Sequence, residues 1–579
     1  MISNPPTTEG GSAAVSSKKK RWKVHAVSGE AGRISKETGV HSVVASILHR
    51  RGHDSSIAAL AFLNASLKDL QDPMTYSHMA KAVQRIRLAI DQGQKILVYG
   101  DYDVDGVTGA SILYPALKKL GAQVEAYIPH RIDEGYGLNV TSLEKLMLNK
   151  FQLVITVDNG VTSIDAIKFL NSKGADVIIV DHHTPKDEFP PAFAIVSAAL
   201  PGDQGDANLA ACGLAFKVVW ALSGDFEFAC QFLDLVVMGT IADIAPVLGD
   251  NRKILKEGLA ILAGSKRPGV VALMETARLA KNYLTYRDVA FSLGPRINAS
   301  GRMGSPMNAF KLLTTDNPLE ARNLAQILEE GNRDRQKAEA EAFEDAVRIV
   351  EADAAHKESA VLVLSSSEWH VGVLGIVAAR LVEKYHKPSI VISVKNGIGK
   401  GSGRSIESFS IHECAKAGED LMVSFGGHAQ ACGLTIQEEN IALLRQRVNR
   451  AASDSRLLEG GAELLVDAAI DPRDLQVTFL KDLARMEPYG PGNNKPLFLT
   501  RGLKMRGEPK KMGKDTLRCW LSDVEGKATF EVIGFRAYTR WMETVKPGQA
   551  VDIVYQPSLK SFQGIVSIQL EMEDWMVGS

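Results

Sequence analysis

Three aspartates, Asp101, Asp103 and Asp105, stand at alternate positions in VYGDYDVDGVTG (Val98–Gly109), with Gly106 and Gly109 after them. Three carboxylates this close repel one another unless a positive group lies among them, and a hard divalent cation is the simplest such group. Two later stretches repeat the pattern of an apolar run ending in polar residues. Leu153–Val157 ends in Asp158-Asn159-Gly160, and Val177–Val180 ends in Asp181-His182-His183. A fourth acid, Asp243, closes the apolar run in GTIADIAP. Carboxylate oxygens mixed with imidazole suit Mn²⁺ or Mg²⁺, and the lack of thiolates in the set argues against structural zinc.

Candidate cations come later in the chain. Arg296 and Arg302 lie in GPRINASGRMGSP (294–306), which its glycine, asparagine and proline content predicts to be a loop. Two glycine-rich stretches, Gly401-Ser402-Gly403-Arg404-Ser405 and Phe425-Gly-Gly-His428-Ala429, read as turns that let phosphate approach the backbone. Ser402, Arg404 and His428 add side chains suited to phosphate. Between 501 and 518 lie Arg501, Lys504, Arg506, Lys510, Lys511, Lys514 and Arg518 against two acids, followed by Trp520, Phe530, Phe535, Tyr538, Trp541 and Tyr555. Basic side chains with interleaved rings are what a single-strand groove requires, although at least half of these aromatics read as core. Gly507–Asp515 is a poor P-loop. It has one residue too many between its glycines and Asp where Ser or Thr must reach Mg²⁺, so no ATP site is expected.

The elements that must position these groups follow from periodicity. Residues 95–200 alternate apolar strands with helices, the pattern of a doubly wound parallel sheet. The three acidic clusters then fall beyond the carboxyl ends of parallel strands, in strand-to-helix loops, where open α/β sheets bind ligands. Residues 213–262 read as helical and carry Asp243. Residues 316–356 read as one long helix. Its stretch 329–342 has no large apolar residue, which predicts a solvent-exposed bridge and the main domain boundary. Residues 357–460 form a second α/β unit, and 461–579 hold short strands that predict a small β-barrel. The first domain is expected over 40–315, preceded by a disordered basic tail over 1–39.

The chain has 579 residues, is 45% hydrophobic and 23% charged, and carries a formal net charge of −1, so a nucleic-acid partner must be held by local basic patches. Five cysteines, at 212, 230, 414, 432 and 519, form no CxxC pair and read as thiols of a reducing compartment. There is no bilayer-spanning apolar run and no signal-peptide core, so the expected compartment is the cytoplasm and no membrane partner is expected.

The four motifs GDYDVDG, VDNG, VDHH and GTIADIAPV, in this order, resemble those of the DHH phosphoesterase superfamily. RINASGRMGSP, GSGRS, FGGHAQACG and PYGPGNNKP resemble the RecJ-type single-strand-specific exonucleases within it, and the likeness covers roughly 40–579. Val104 stands where the family more often has Ala. The resemblance implies a DHH domain joined by a long helix to a DHH-associated domain and then an oligonucleotide-binding (OB) barrel. It implies degradation of single-stranded DNA from the 5′ end to mononucleotides with Mn²⁺ or Mg²⁺ and without ATP. A role in recombination and repair follows, alongside single-strand-binding protein and a RecQ-type helicase. By position, Asp103, Asp105, Asp158, His182 and Asp243 match the family's ligands to two ions, with Asp158 as the bridge. Asp101 is a further ligand or stands just behind one, and His183 contacts the scissile phosphate. Arg296, Arg302, Ser402, Arg404 and His428 are expected on substrate phosphate, and Lys504, Arg506, Lys510, Lys511, Lys514 and Arg518 on the strand. Two other readings share some of these features. One is a phosphodiesterase of short oligonucleotides or cyclic dinucleotides, for which the basic barrel has no use. The other is a non-catalytic single-strand scaffold, which has no need of a complete acidic set.

Overall fold

The computed structural model describes residues 21–26, 28–131, 133–135, 137–185, 188–280, 283–453, 463–562 and 565–578. The expected disorder of residues 1–20 lies outside them. In chain order the strands begin with β1 (Arg21–Val24). They continue with β2 (Lys95–Gly100), β3 (Gln123–Tyr127), β4 (Leu153–Val157), β5 (Asp176–Val180) and β6 (Ala194–Val196). Next come β7 (Leu362–Ser366), β8 (Ser389–Lys395), β9 (Ile398–Arg404), β10 (Met422–His428) and β11 (Ala431–Gln437). The last are β12 (Glu463–Val466), β13 (Ala468–Ala469), β14 (Phe498–Met512), β15 (Thr516–Ser522), β16 (Thr529–Gly534), β17 (Ala550–Phe562) and β18 (Ile565–Val577).

The chain divides into two compact units. The larger spans Asn64–Leu458 with Glu487–Asn494. Its first sheet is parallel throughout, in the order β3-β2-β4-β5-β6. Strands β2, β4 and β5 are almost wholly buried because helices cover both faces. Ile96 and Val98 join the core under helices Val104–Lys119 and Ala211–Ser223. Leu97 and Tyr99 point the other way, into the core with Leu143 and Ile167. The sheet is therefore doubly wound, as expected. Its order reverses between β2 and β4, and at such a switch point the loops diverge and open a crevice.

The second sheet of this unit, β10-β11-β9-β8-β7, is mixed: only β7 and β8 run parallel. Here two expectations are corrected. Gly401–Arg404 lies within β9 and Phe425–His428 within β10, so neither stretch is a turn. The glycines serve packing. A side chain on Gly401 would lie 2.9 Å from Leu434, and one on Gly403 2.5 Å from the Cys432 sulfur. The strand can thus approach its own core while Ser402 and Arg404 occupy the alternate face.

The long helix Pro318–Ala352 is continuous, capped by Asn317. Half of the stretch 329–342 is exposed, as its composition suggests, but the rest lies against protein. Glu329 and Asn332 are buried, and Glu329 accepts from Arg296 and Arg333, while Arg335 pairs with Glu339 and donates to Asn332. Mutual ion pairs let a polar helix face lie inside protein. Both sheets belong to one compact unit, and in sequence this helix stands between them.

The smaller unit comprises residues 1–63, 459–486 and 495–579. Strands β14-β15-β16-β18-β17 form a sheet that closes through β14–β17 pairing into a five-stranded barrel with OB topology. Residues 21–39, expected in the disordered tail, contain β1 and helix Ala31–Thr38. β1 pairs in parallel with β12, and Trp22 donates to Asp574 at 2.9 Å. Residues 40–63, expected with the first domain, also belong to this unit, through Arg50–Asp467 (3.1 Å) and the His41 N–H to Asp482. Contacts this far apart in sequence leave no local periodicity.

Candidate metal centre and phosphate clamp

Asp101 follows β2 directly and is buried, with its N–H bonded to the Val157 carbonyl. The helix begins at Val104, so of the acids expected in the strand-to-helix loop Asp103 is its N-cap and Asp105 lies in its first turn. Asp103 Oδ1 accepts from the Asp105 and Gly106 N–H groups. A side chain on Gly106 would sit 2.4 Å from the Asp101 nitrogen, so the sharp entry needs glycine. Asp105 is fully buried, and its two oxygens accept the N–H groups of Ala211 (2.7 Å) and Cys212 (2.9 Å) at the start of helix Ala211–Ser223. Asp158 follows β4 with φ +65°, a left-handed conformation that aspartate tolerates better than most residues. Asp243 ends helix Leu233–Ala242.

These elements bring all seven expected residues of the centre together. His182 Nε2 lies 3.3 Å from Asp158, 3.8 Å from Asp243 and 3.9 Å from Asp105. His183 Nδ1 lies 3.7 Å from Asp158. Two groups share no residue: Asp101, Asp103 and Asp158 form one, and Asp105, His182 and Asp243 the other, each with ligand atoms within 4.8 Å of one another. Asp158, His182 and His183 link them.

The electrostatics show a set of acids with too little positive charge. Burial, then Asp103, pushes Asp101 well above the usual carboxylate range. Burial, then Asp103, Asp105 and Asp101, does the same to Asp158. Asp105 is raised chiefly by burial, and Asp243 is pushed up to about 8 by burial with Asp105 and Asp103. Asp101 Oδ1 and His182 Nε2 are buried without a hydrogen-bond partner. Oxygen donors, one imidazole and two orphaned buried ligand atoms fit hard divalent cations.

The sequence reading passed over Asp181. It is buried and accepts from the Val161 and His183 N–H groups and from His183 Nδ1 at 2.7 Å. Burial disfavours charge on both partners. Their mutual bond outweighs it, lowering Asp181 and raising His183 to about 9. Its signal was present: an acid before the paired histidines, at a strand end.

Opposite the acids lie arginines. Arg302 is not in a loop, as expected, but in helix Gly294–Met303. Pro295 starts that helix, and Ile297, Ala299 and Gly301 face the interior, so internal packing overrides the loop-like composition. Arg302 donates to the Gly372 carbonyl at 3.0 Å, joining the two sheets' layers. Burial, with Arg131, Arg335 and Arg404 nearby, pushes it down to about 9. Arg404 donates to Ser402 at 3.1 Å. Arg131 lies 4.7 Å over the Tyr102 ring and within electrostatic reach of Asp101. Neither Arg131 nor Arg335 was a sequence candidate. Arg131 had a signal, because it follows the carboxyl end of β3, on the edge that carries the acids. His428 is exposed at the end of β10, in one cross-strand row with Ala431 and Arg404. Arg296 instead pairs with Glu329 at 2.7 Å.

In the barrel, β14 and β15 form the basic hairpin. Lys504, Arg506, Lys510, Lys511 and Lys514 are exposed, whereas Arg518 pairs with Glu531 at 2.6 Å. Phe530, Trp541 and Tyr555 are core, and Trp520 and Tyr538 are half-buried. Phe535 is 62% exposed. A groove of about 470 Å³ beside Phe535 is lined by Arg518, Ile533 and Lys560. Gly507–Asp515 is the hairpin's far end, not a loop entering a helix.

Residues 95–240 match the DHH family N-terminal domain, 358–454 the DHHA1 domain and 466–574 the RecJ OB domain. The chain is 33% identical over 561 residues to the single-stranded-DNA-specific exonuclease RecJ of Bacillus subtilis, covering 96% of this chain and 71% of that protein. The chain belongs to the RecJ family. It is 31% identical over 555 residues to the RecJ of Escherichia coli, covering 91% and 95% of the two chains. The crystal structure of RecJ from Thermus thermophilus in complex with Mn²⁺ superposes with a TM-score of 0.82 at 29% identity, over 96% of this chain and 80% of that one. A structure of the same protein with Mg²⁺ is also similar, with a TM-score of 0.77. The PYGPGNNKP stretch of the RecJ resemblance packs against the segment that follows Asp243. The Val247 N–H, four residues after Asp243, donates to the Pro491 carbonyl at 2.7 Å.

Proposed function

We propose that this chain is an exonuclease that hydrolyses single-stranded DNA with Mn²⁺ or Mg²⁺. The observation that carries the reading is the pair of separate ligand groups at the sheet's switch point, facing a cluster of arginines within one compact unit. Asp101, Asp103 and Asp158 would hold one ion, and Asp105, His182 and Asp243 the other, with Asp158 between them. When bound, such ions acidify water near neutral pH and neutralise charge on the phosphate oxygens. The residues supply the rest. The Ala211 and Cys212 N–H groups fix the Asp105 carboxylate. Asp181 keeps His183 cationic, which suits it to contact the scissile phosphate. Arg302 and Arg404, with Ser402, Arg131 and His428, would hold a neighbouring phosphate and so set which bond reaches the acids. Arg296, expected on substrate phosphate, pairs with Glu329. Lys504, Arg506, Lys510, Lys511 and Lys514 would follow the strand's phosphates, with Phe535 and Trp520 offering rings to its bases.

The finer reading is 5′-to-3′ degradation to mononucleotides without ATP, in DNA recombination and repair in the cytoplasm, with single-strand-binding protein and a RecQ-type helicase as partners. Among the described residues, no helix is long and apolar enough to cross a membrane. The test is Mn²⁺ with linear strands blocked at either end and with a circular strand. Blocking the 5′ end should stop release of mononucleotides, and blocking the 3′ end should not. Cutting of the circle would remove the exonuclease reading.

A further inference from the structure

Helix Leu233–Ala242 ends in a Schellman motif. The Ala245 N–H bonds to the Thr240 carbonyl and the Ile244 N–H to the Ile241 carbonyl, both at 3.2 Å. The motif requires a left-handed residue at Ile244, whose φ is +61°. Glycine is the usual occupant, because a Cβ in this conformation crowds the following carbonyl, and a β-branched side chain crowds it most. Seven non-glycine residues among those described have positive φ, and Ile244 is the one that is β-branched.

Packing does not offset this strain. Ile244 is 68% exposed, while its neighbour Ala245 is buried. Its position connects it to the chemistry. It directly follows Asp243, whose carboxylate lies 3.8 Å from His182, and consecutive Cα atoms are only about 3.8 Å apart. Strain held at such a place without a structural return is a mark of use.

We infer that Ile244 is a substrate-positioning residue, an apolar shelf for the base of the nucleotide whose phosphate lies at the metal centre. The inference rests on the exonuclease reading. In that reading the ions held by the acids, together with the arginines, take the phosphates, which leaves the flat apolar base face to be held. An aliphatic side chain has no hydrogen-bonding group and would hold any base alike, which suits an enzyme that must degrade any sequence.

The experiment compares wild type with Ile244→Gly and Ile244→Val. It measures Tm, and affinity by anisotropy in Ca²⁺ for a short single strand and for its fully abasic analogue. Ile244→Gly should melt no lower than wild type, because the strain is relieved. It should bind the normal strand about tenfold more weakly, the scale of one lost aliphatic contact, and the abasic strand unchanged. Ile244→Val should stay within about twofold on the normal strand. A lower Tm in Ile244→Gly would make the residue structural, and an equal loss on both strands, or none on either, would remove the shelf. Failure of the exonuclease reading appears separately, as cutting of a circular single strand by the wild type in Mn²⁺.

Discussion

The crevice of the larger unit and the basic hairpin of the barrel both gather like charges, but under opposite physical conditions. In the crevice the charges are buried. Burial, with Asp103 among the neighbouring acids, raises the proton affinities of Asp101, Asp105, Asp158 and Asp243, and across from them burial and three other arginines depress Arg302. Neither cluster is comfortable alone; in the proposed function cations relieve the first and phosphate the second. On the hairpin, Lys504, Lys510, Lys511 and Lys514 are exposed and water screens them. Buried charges couple strongly, so each is indispensable, whereas exposed charges act weakly and nearly additively. In the proposed function the crevice therefore does the chemistry and the hairpin supplies grip.

The sharpest way to break this contrast is Asp158→Asn, which keeps a residue tolerant of left-handed φ and so removes charge with little added strain. Release of mononucleotides at saturating Mn²⁺ should fall at least ~10³-fold, the scale of losing a principal electrostatic stabiliser. A mutant retaining a tenth of the wild-type rate would end the two-ion assignment.

Arg404→Ala should come next. Its loss should lower turnover on single-stranded DNA about ten- to a hundred-fold, while calorimetric Mn²⁺ binding stays unchanged. Normal turnover would take the clamp out of the account.

Titration of the metal-free protein gives a smaller effect. Asp243, at about 8, and His183, at about 9, both have proton affinities raised by folding. The folded state thus holds more protons than the unfolded chain, and stability must fall as pH rises toward 9. Tm without metal should be lower at pH 9 than at pH 6. Mn²⁺ must displace the Asp243 proton below about pH 8, so its affinity should rise by up to about tenfold per pH unit there. Calorimetry in buffers of different ionisation enthalpy would register that proton, and a buffer-independent heat would contradict it.

The hairpin should yield the mildest change. With Lys510, Lys511 and Lys514 all replaced by Ala, the salt slope for single strands should flatten by about 0.7 per contact, roughly two units in all. Cleavage of very short oligonucleotides should barely respond. An unaltered slope would move the strand's path elsewhere.

Local pattern was enough for the first sheet and its acids. Apolar runs ending in Asp101, Asp158 and Asp181-His182-His183 define parallel strands whose ends must share an edge, and that edge is the centre. The barrel, too, was legible from its short strands and turns. Composition misled where tertiary packing overrode it. The segment 294–303 has loop residues but is a helix packed on the interior, and Gly401 and Gly403 thin a strand for its neighbours. Part of the polar stretch 329–342 is buried, because Glu329 there accepts from Arg296 and Arg333. No periodicity could join residues 21–63 to the barrel or bring Arg131 beside Arg302, because those contacts span long stretches of chain. The sequence by itself determined which groups could bind metal and on which strand ends they sit. Only the tertiary structure decided which arginines face them and which are spent on ion pairs, because a side chain's partner is set by what folds against it.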